Sequence, residues 1–131
     1  MIAEDKKGPI LLVDDDTFLL DMYSRKFRED GNEIETCLGG EVALERLRGG
    51  LIVQAVVLDA VMPDIDGLEL VKTIKKEKLG GDPVIIMLSN QGEQADIEKA
   101  EALGIDGYIV KASAIPSEVL TQIKEIIKNK K

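Results

Sequence analysis

Residues Ile10–Asp16, ILLVDDD, set four aliphatic side chains directly against three aspartates. An aliphatic run this short fits a strand buried on both faces of a parallel sheet. The aspartates pose the functional question. Adjacent carboxylates repel one another, and a carboxylate at the edge of a core is costly to desolvate unless positive charge answers it. A turn or a helix N-cap explains one of them, because a cap needs only one acceptor.

The same pattern recurs along the chain. AVVL (55–58), VIIML (84–88) and YIV (108–110) are further apolar runs, and EIETC (33–37) alternates as an edge strand with one wet face does. Amphipathic segments lie between them: Leu19, Tyr23 and Phe27 share a helical face, as do Leu68, Val71 and Ile74, and then Val119, Ile123, Ile126 and Ile127. Gly31, the glycine pairs 39–40, 49–50 and 80–81, and Gly104 punctuate the pattern, and Pro116 suits a helix first turn. Strand and helix alternating about five times predict an α/β doubly wound parallel sheet with helices on both faces, in one domain spanning 1–131.

Composition removes several classes of function. A formal net charge of −8 opposes attraction to nucleic acid phosphates and anionic membranes. No histidine is present, so histidine acid–base catalysis, histidine metal ligation and phosphohistidine chemistry on this chain are excluded. Any metal must take oxygen ligands, which favours magnesium, manganese or calcium. Cys37 is the single cysteine, no apolar run nears the roughly 20 residues of a membrane span, and the first residues lack a signal-peptide core. A cytoplasmic location is expected.

In such sheets ligands bind beyond the carboxyl ends of the strands. The residues that follow the runs are Asp14 and Asp15, then Asp59, Ser89 and Lys111. Three carboxylates, a hydroxyl and an ammonium from four strands should therefore converge. A divalent cation makes such a carboxylate group tolerable, and the set suits phosphoryl transfer with Asp59 as nucleophile.

At these residues the sequence resembles the receiver domain of two-component response regulators. ILLVDDD, VVLDAVMPDIDGLEL, PVIIMLSN and GIDGYIVKAS occur in the family's order, and Pro63 and Gly67 follow Asp59 at its spacing. The resemblance implies a flavodoxin-like five-stranded sheet of order 2-1-3-4-5 with about five helices. It implies that Asp59 accepts a phosphoryl group from a sensor histidine kinase or phosphotransfer protein, with Mg²⁺ (or Mn²⁺) held by Asp14, Asp15, Asp59 and the Val61 carbonyl. Ser89 and Tyr108 would be the switch residues, and Lys111 would pair with the phosphoryl group. The chain would not be an enzyme beyond its own phosphorylation and dephosphorylation. Its output would be an unknown downstream protein, reached as a monomer or a phosphorylation-dependent dimer. Met1 and the closing KNKK read as natural termini, so a stand-alone receiver is expected.

Three departures matter. Ala112 follows Lys111 where the family has proline, and a cis bond there costs about 2.5 to 4 kcal/mol, which favours a trans backbone. Asn90 stands where a very small residue is usual, and either narrows access to Asp59 or adds a hydrogen bond to the phosphoryl oxygens. Val61 and Gln91 occupy positions that tune water attack, and the apolar Val61 predicts slow self-dephosphorylation. Two alternatives remain: a receiver-like binding module without phosphorylation, and a haloacid-dehalogenase-like phosphatase, which VDDDT resembles through Asp14 and Asp16.

Overall fold

The computed structural model describes residues 8–90, 94–111 and 115–130. Five parallel strands alternate with five helices: β1 (Ile10–Asp14), α1 (Thr17–Glu29), β2 (Ile34–Leu38), α2 (Gly40–Arg48), β3 (Ala55–Asp59), α3 (Gly67–Glu77), β4 (Val84–Ser89), α4 (Gln94–Ala102), β5 (Gly107–Val110) and α5 (Pro116–Lys130). The strand order is β2-β1-β3-β4-β5, as the resemblance implies. At the switch point, β1 pairs with β2 on one side and β3 on the other, Ile10 lying opposite both Ile34 and Ala55.

Period-two alternation within β1 sends Leu11 and Val13 to one core and Ile10 and Leu12 to the other. Helices α2, α3 and α4 cover the first through Leu44, Leu47, Leu70, Val71, Ile74 and Ala100. Helices α1 and α5 cover the second through Leu20, Tyr23, Phe27, Val119 and Ile123. In α1 the stripe is centred one residue beyond the predicted Leu19, on Leu20, because the helix rolls that side chain onto β1 and leaves Leu19 only partly buried. In α3, likewise, Leu70 is fully buried and Leu68 only partly. The edge strand β2 does not show the single wet face expected of it. Ile34 is buried in the core under α1 and Cys37 in the opposite core, while Glu35 and Leu38 are exposed, because α1 packs on one face of the strand and α2 on the other. Among the described residues, no helix is long and apolar enough to cross a membrane.

Gly67 shows how tightly α3 meets the sheet. Its N–H donates to the Ala60 carbonyl at 2.9 Å, and a Cβ there would sit 2.7 Å from the Asp59 carbonyl oxygen. Only glycine lets the helix start this close to the end of β3.

At the amino edge, Asp106 closes a reciprocal pair with Ile85. Its Oδ2 accepts the Ile85 N–H at 2.8 Å, and its own N–H donates to the Ile85 carbonyl at 2.7 Å. Lys130 reaches Oδ1 at 3.0 Å from the end of α5. Asp106→Ala leaves a buried N–H without its acceptor and is expected to lose about 1–3 kcal/mol of stability. Lys130 is half exposed, so Lys130→Ala should lose under about 1 kcal/mol. Urea denaturation of the two variants separates these values, and equal losses would assign the stabilisation to the ion pair instead.

Candidate phosphoacceptor and metal site

The carboxyl edge gathers the residues that the sequence singled out. Asp14 and Asp59 are the last residues of their strands, Ser89 ends β4, and Lys111 follows β5. The Lys111 Nζ lies 3.6 Å from Asp14 Oδ2 and 3.6 Å from Asp59 Oδ1. All three side chains are nearly buried, at 7%, 6% and 12% exposure for Lys111, Asp14 and Asp59. Asp15 is exposed, yet Asp14, Asp15 and Asp59 can each bring a carboxylate oxygen within 4.8 Å of the others.

The three aspartates of the opening motif divide their work. Asp14 Oδ1 accepts the Asp16 N–H at 3.0 Å, which orients its other oxygen toward Lys111. Asp16 is the N-cap of α1, its Oδ1 accepting from Phe18 at 2.9 Å and Leu19 at 3.2 Å. That commitment takes from the phosphatase alternative the second carboxylate it requires.

The electrostatics leave the cluster short of positive charge. The Asp59 carboxyl is raised to about 6, first by burial and then by the Asp14 and Asp15 charges, with Lys111 opposing. Asp14 is raised for the same first reason, burial, with Lys111 opposing. The Tyr23 phenol beneath is also raised, by burial and then by the Asp14 charge. Three carboxylates answered by one ammonium, all hard oxygen donors, fit a small divalent cation of the magnesium type.

Beside the cluster lies a cavity of about 220 Å³ bounded by Val61, Asp66, Met87, Ser89, Asp96 and Tyr108. Ser89 is buried, Tyr108 is half-buried, and Val61 is 70% exposed. Asn90 is exposed at the end of β4. Gln91 and the Ala112 side of the Lys111–Ala112 bond lie outside the described residues.

Two residues of the β3–α3 loop carry roles that the sequence reasoning did not assign. Asp66 caps α3 by accepting the Glu69 N–H at 2.9 Å. The signal was present, since Asp-Gly-Leu-Glu has the spacing of a capping box. Asp64 instead caps α2, at Gly40 and Glu41, and no local pattern announces a partner more than 20 residues away.

A parallel sheet of this order with an acidic cluster at its switch point defines the CheY-like, flavodoxin-like class. The response regulator receiver domain matches residues 10–124, and the chain belongs to that family, the receivers of two-component systems. Among curated relatives, response regulator SaeR of Staphylococcus aureus is 30% identical over 118 residues, 90% of this chain and 50% of that protein. The chain thus spans about half the length of the curated relatives it matches. A CheY-like receiver domain protein from Methanospirillum hungatei superposes with a TM-score of 0.83 at 26% identity, covering 95% of this chain and 96% of the other. Response regulator TrrA of Thermotoga maritima, solved in complex with Mg²⁺–BeF, gives 0.76 at 32% identity, covering 91% and 98%.

Proposed function

We propose that this receiver accepts a phosphoryl group on Asp59 from a phosphohistidine of a sensor kinase or phosphotransfer protein, with Mg²⁺ held by Asp14, Asp15, Asp59 and the Val61 carbonyl. The observation that carries this is Lys111 Nζ poised at 3.6 Å from both Asp14 and Asp59 inside a nearly buried acidic cluster. The Mg²⁺–BeF complex of TrrA, a relative at 32% identity, supports it. When bound, Mg²⁺ supplies positive charge against the oxygens of the transferring group.

The chain's own residues perform the rest. An Asp59 carboxylate oxygen attacks phosphorus and forms the acyl phosphate O–P bond. The donor's P–N bond breaks, and the imidazole nitrogen leaves with that electron pair. Lys111 neutralises charge on the phosphoryl oxygens, and the Ser89 hydroxyl donates a hydrogen bond to one of them. Tyr108, on the same cavity as Ser89, relays the change to the surface of α4, β5 and α5, where a downstream protein binds. The chain turns over no separate substrate.

The test is intact mass after incubation with acetyl phosphate, in Mg²⁺ and in EDTA. A gain of one phosphoryl group in Mg²⁺ alone is expected, and no gain in either buffer argues for a phosphorylation-independent binding module. After the donor is removed the modification should persist on the order of hours, because the exposed apolar Val61 cannot orient water. Decay within seconds would assign water positioning to other residues.

A further inference from the structure

The Gly39–Gly40 turn lies between the two loops that bear the carboxylates, and it bonds to both. The Gly39 N–H donates to the Asp14 carbonyl at 2.9 Å. On the other side, the Gly40 and Glu41 N–H groups donate to Asp64 Oδ1 at 3.3 Å and Oδ2 at 3.0 Å. Helix α2 has Gly39 at its N-cap, and no capping side chain of its own. Two of its orphan first-turn donors are satisfied from a loop 23 and 24 residues away.

The sequence around this contact is shaped for close approach. Gly39 adopts φ +95°, and a Cβ there would sit 2.8 Å from Asp64 Oδ2; a Cβ on Gly40 would run into the Ile65 side chain. Asp64 is also held within its own loop, where Oδ1 accepts the Ile65 N–H at 2.8 Å. We infer that Asp64 is a positioning residue: by capping α2 it ties the Asp59–Asp66 loop, through the Gly39–Gly40 turn, to the end of β1, and so fixes the spacing of the Asp14 and Asp59 carboxylates. Its own carboxylate does not enter the cluster.

The Asp64 carboxyl is held below the usual carboxylate range, first by the Glu41 N–H and then by those of Ile65 and Gly40, with its slight burial opposing. The clamp is therefore present above the ordinary carboxylate range and is released as pH falls through the lowered value. Outer partners that orient metal ligands commonly change metal affinity by about 10–100-fold. That consequence rests on the Mg²⁺ site proposed above, whereas the clamp itself does not.

The experiment compares wild type, Asp64→Ala, Asp64→Asn and, as a destabilised control at the far edge of the sheet, Asp106→Ala. Amide hydrogen exchange is measured without metal, and Mg²⁺ affinity by calorimetry. Asp64→Ala should speed exchange about tenfold or more relative to the control, at Gly40 and Glu41 and also at Gly39, whose partner is Asp14 rather than Asp64. It should weaken Mg²⁺ binding about tenfold, with Asp64→Asn intermediate because one carbonyl oxygen retains part of the cap. Faster exchange confined to Gly40 and Glu41, or Mg²⁺ affinity equal to wild type, would reduce Asp64 to a helix cap and overturn the inference. Coupled exchange in a protein that binds no Mg²⁺ would uphold the clamp and overturn the metal site.

Discussion

Asp59→Asn is expected to gain no phosphoryl group under conditions that modify the wild type, and to be more stable than wild type near neutral pH without metal. The first effect follows because the amide nitrogen and oxygen cannot replace a carboxylate nucleophile. The second follows from the sign of the perturbation. The folded-state pKa is raised from 3.8 to about 6, so folding favours the protonated acid. The contribution of Asp59 to stability is then fully present below the ordinary carboxylate pKa and is lost as pH rises through about 6. The amount lost is about 3 kcal/mol. The amide carries no charge to desolvate, so the variant should recover up to about 3 kcal/mol at pH 7 and show a flatter profile between pH 4 and 7. Denaturant unfolding at several pH values in EDTA measures this. A variant less stable than wild type at pH 7 would mean that the Lys111–Asp59 attraction outweighs burial.

Lys111→Met should separate charge stabilisation from metal binding. Lys111 is the cation at 3.6 Å from both Asp14 and Asp59, so its loss should slow phosphorylation by acetyl phosphate about 10²–10³-fold, the usual effect of deleting a preorganised electrostatic donor. Mg²⁺ affinity should hold or rise, because a positive charge that competes for the same carboxylates has been removed. Without metal, deleting one member of a buried ion group should lower stability by about 3–5 kcal/mol, and saturating Mg²⁺ should restore much of it. Rate and calorimetric affinity on one sample decide the matter. A parallel fall in both would make Lys111 a scaffold of the metal site rather than a partner of the phosphoryl group.

Both expectations trace to an arrangement that was largely legible before any coordinates. Each aliphatic run ends in a chemical residue, and parallel strands must deliver those ends to one edge, so Asp14, Asp59, Ser89 and Lys111 could be placed together from order alone. The opening triplet was only partly legible. Its three aspartates are identical in sequence, and only the path of the chain into α1 makes Asp16 a cap while Asp14 turns into the cluster. Helix α4 was likewise faint, because Ala100 is its only buried residue among those described and a single small side chain makes no stripe.

What the sequence determined by itself is therefore the alternation of strands and helices, the parallel sheet and the roster of the carboxyl edge, since these depend on side-chain periodicity of 2 and 3.6 residues and on short connections, whereas the strand order came from the family resemblance. What only the tertiary structure decided is how that edge is held: Lys111 balanced between two carboxylates on different strands, and Asp64 capping α2 from the β3–α3 loop. Periodicity is a local property of the chain. Contacts across more than 20 residues are set by how loops cross the surface, and no local pattern encodes that.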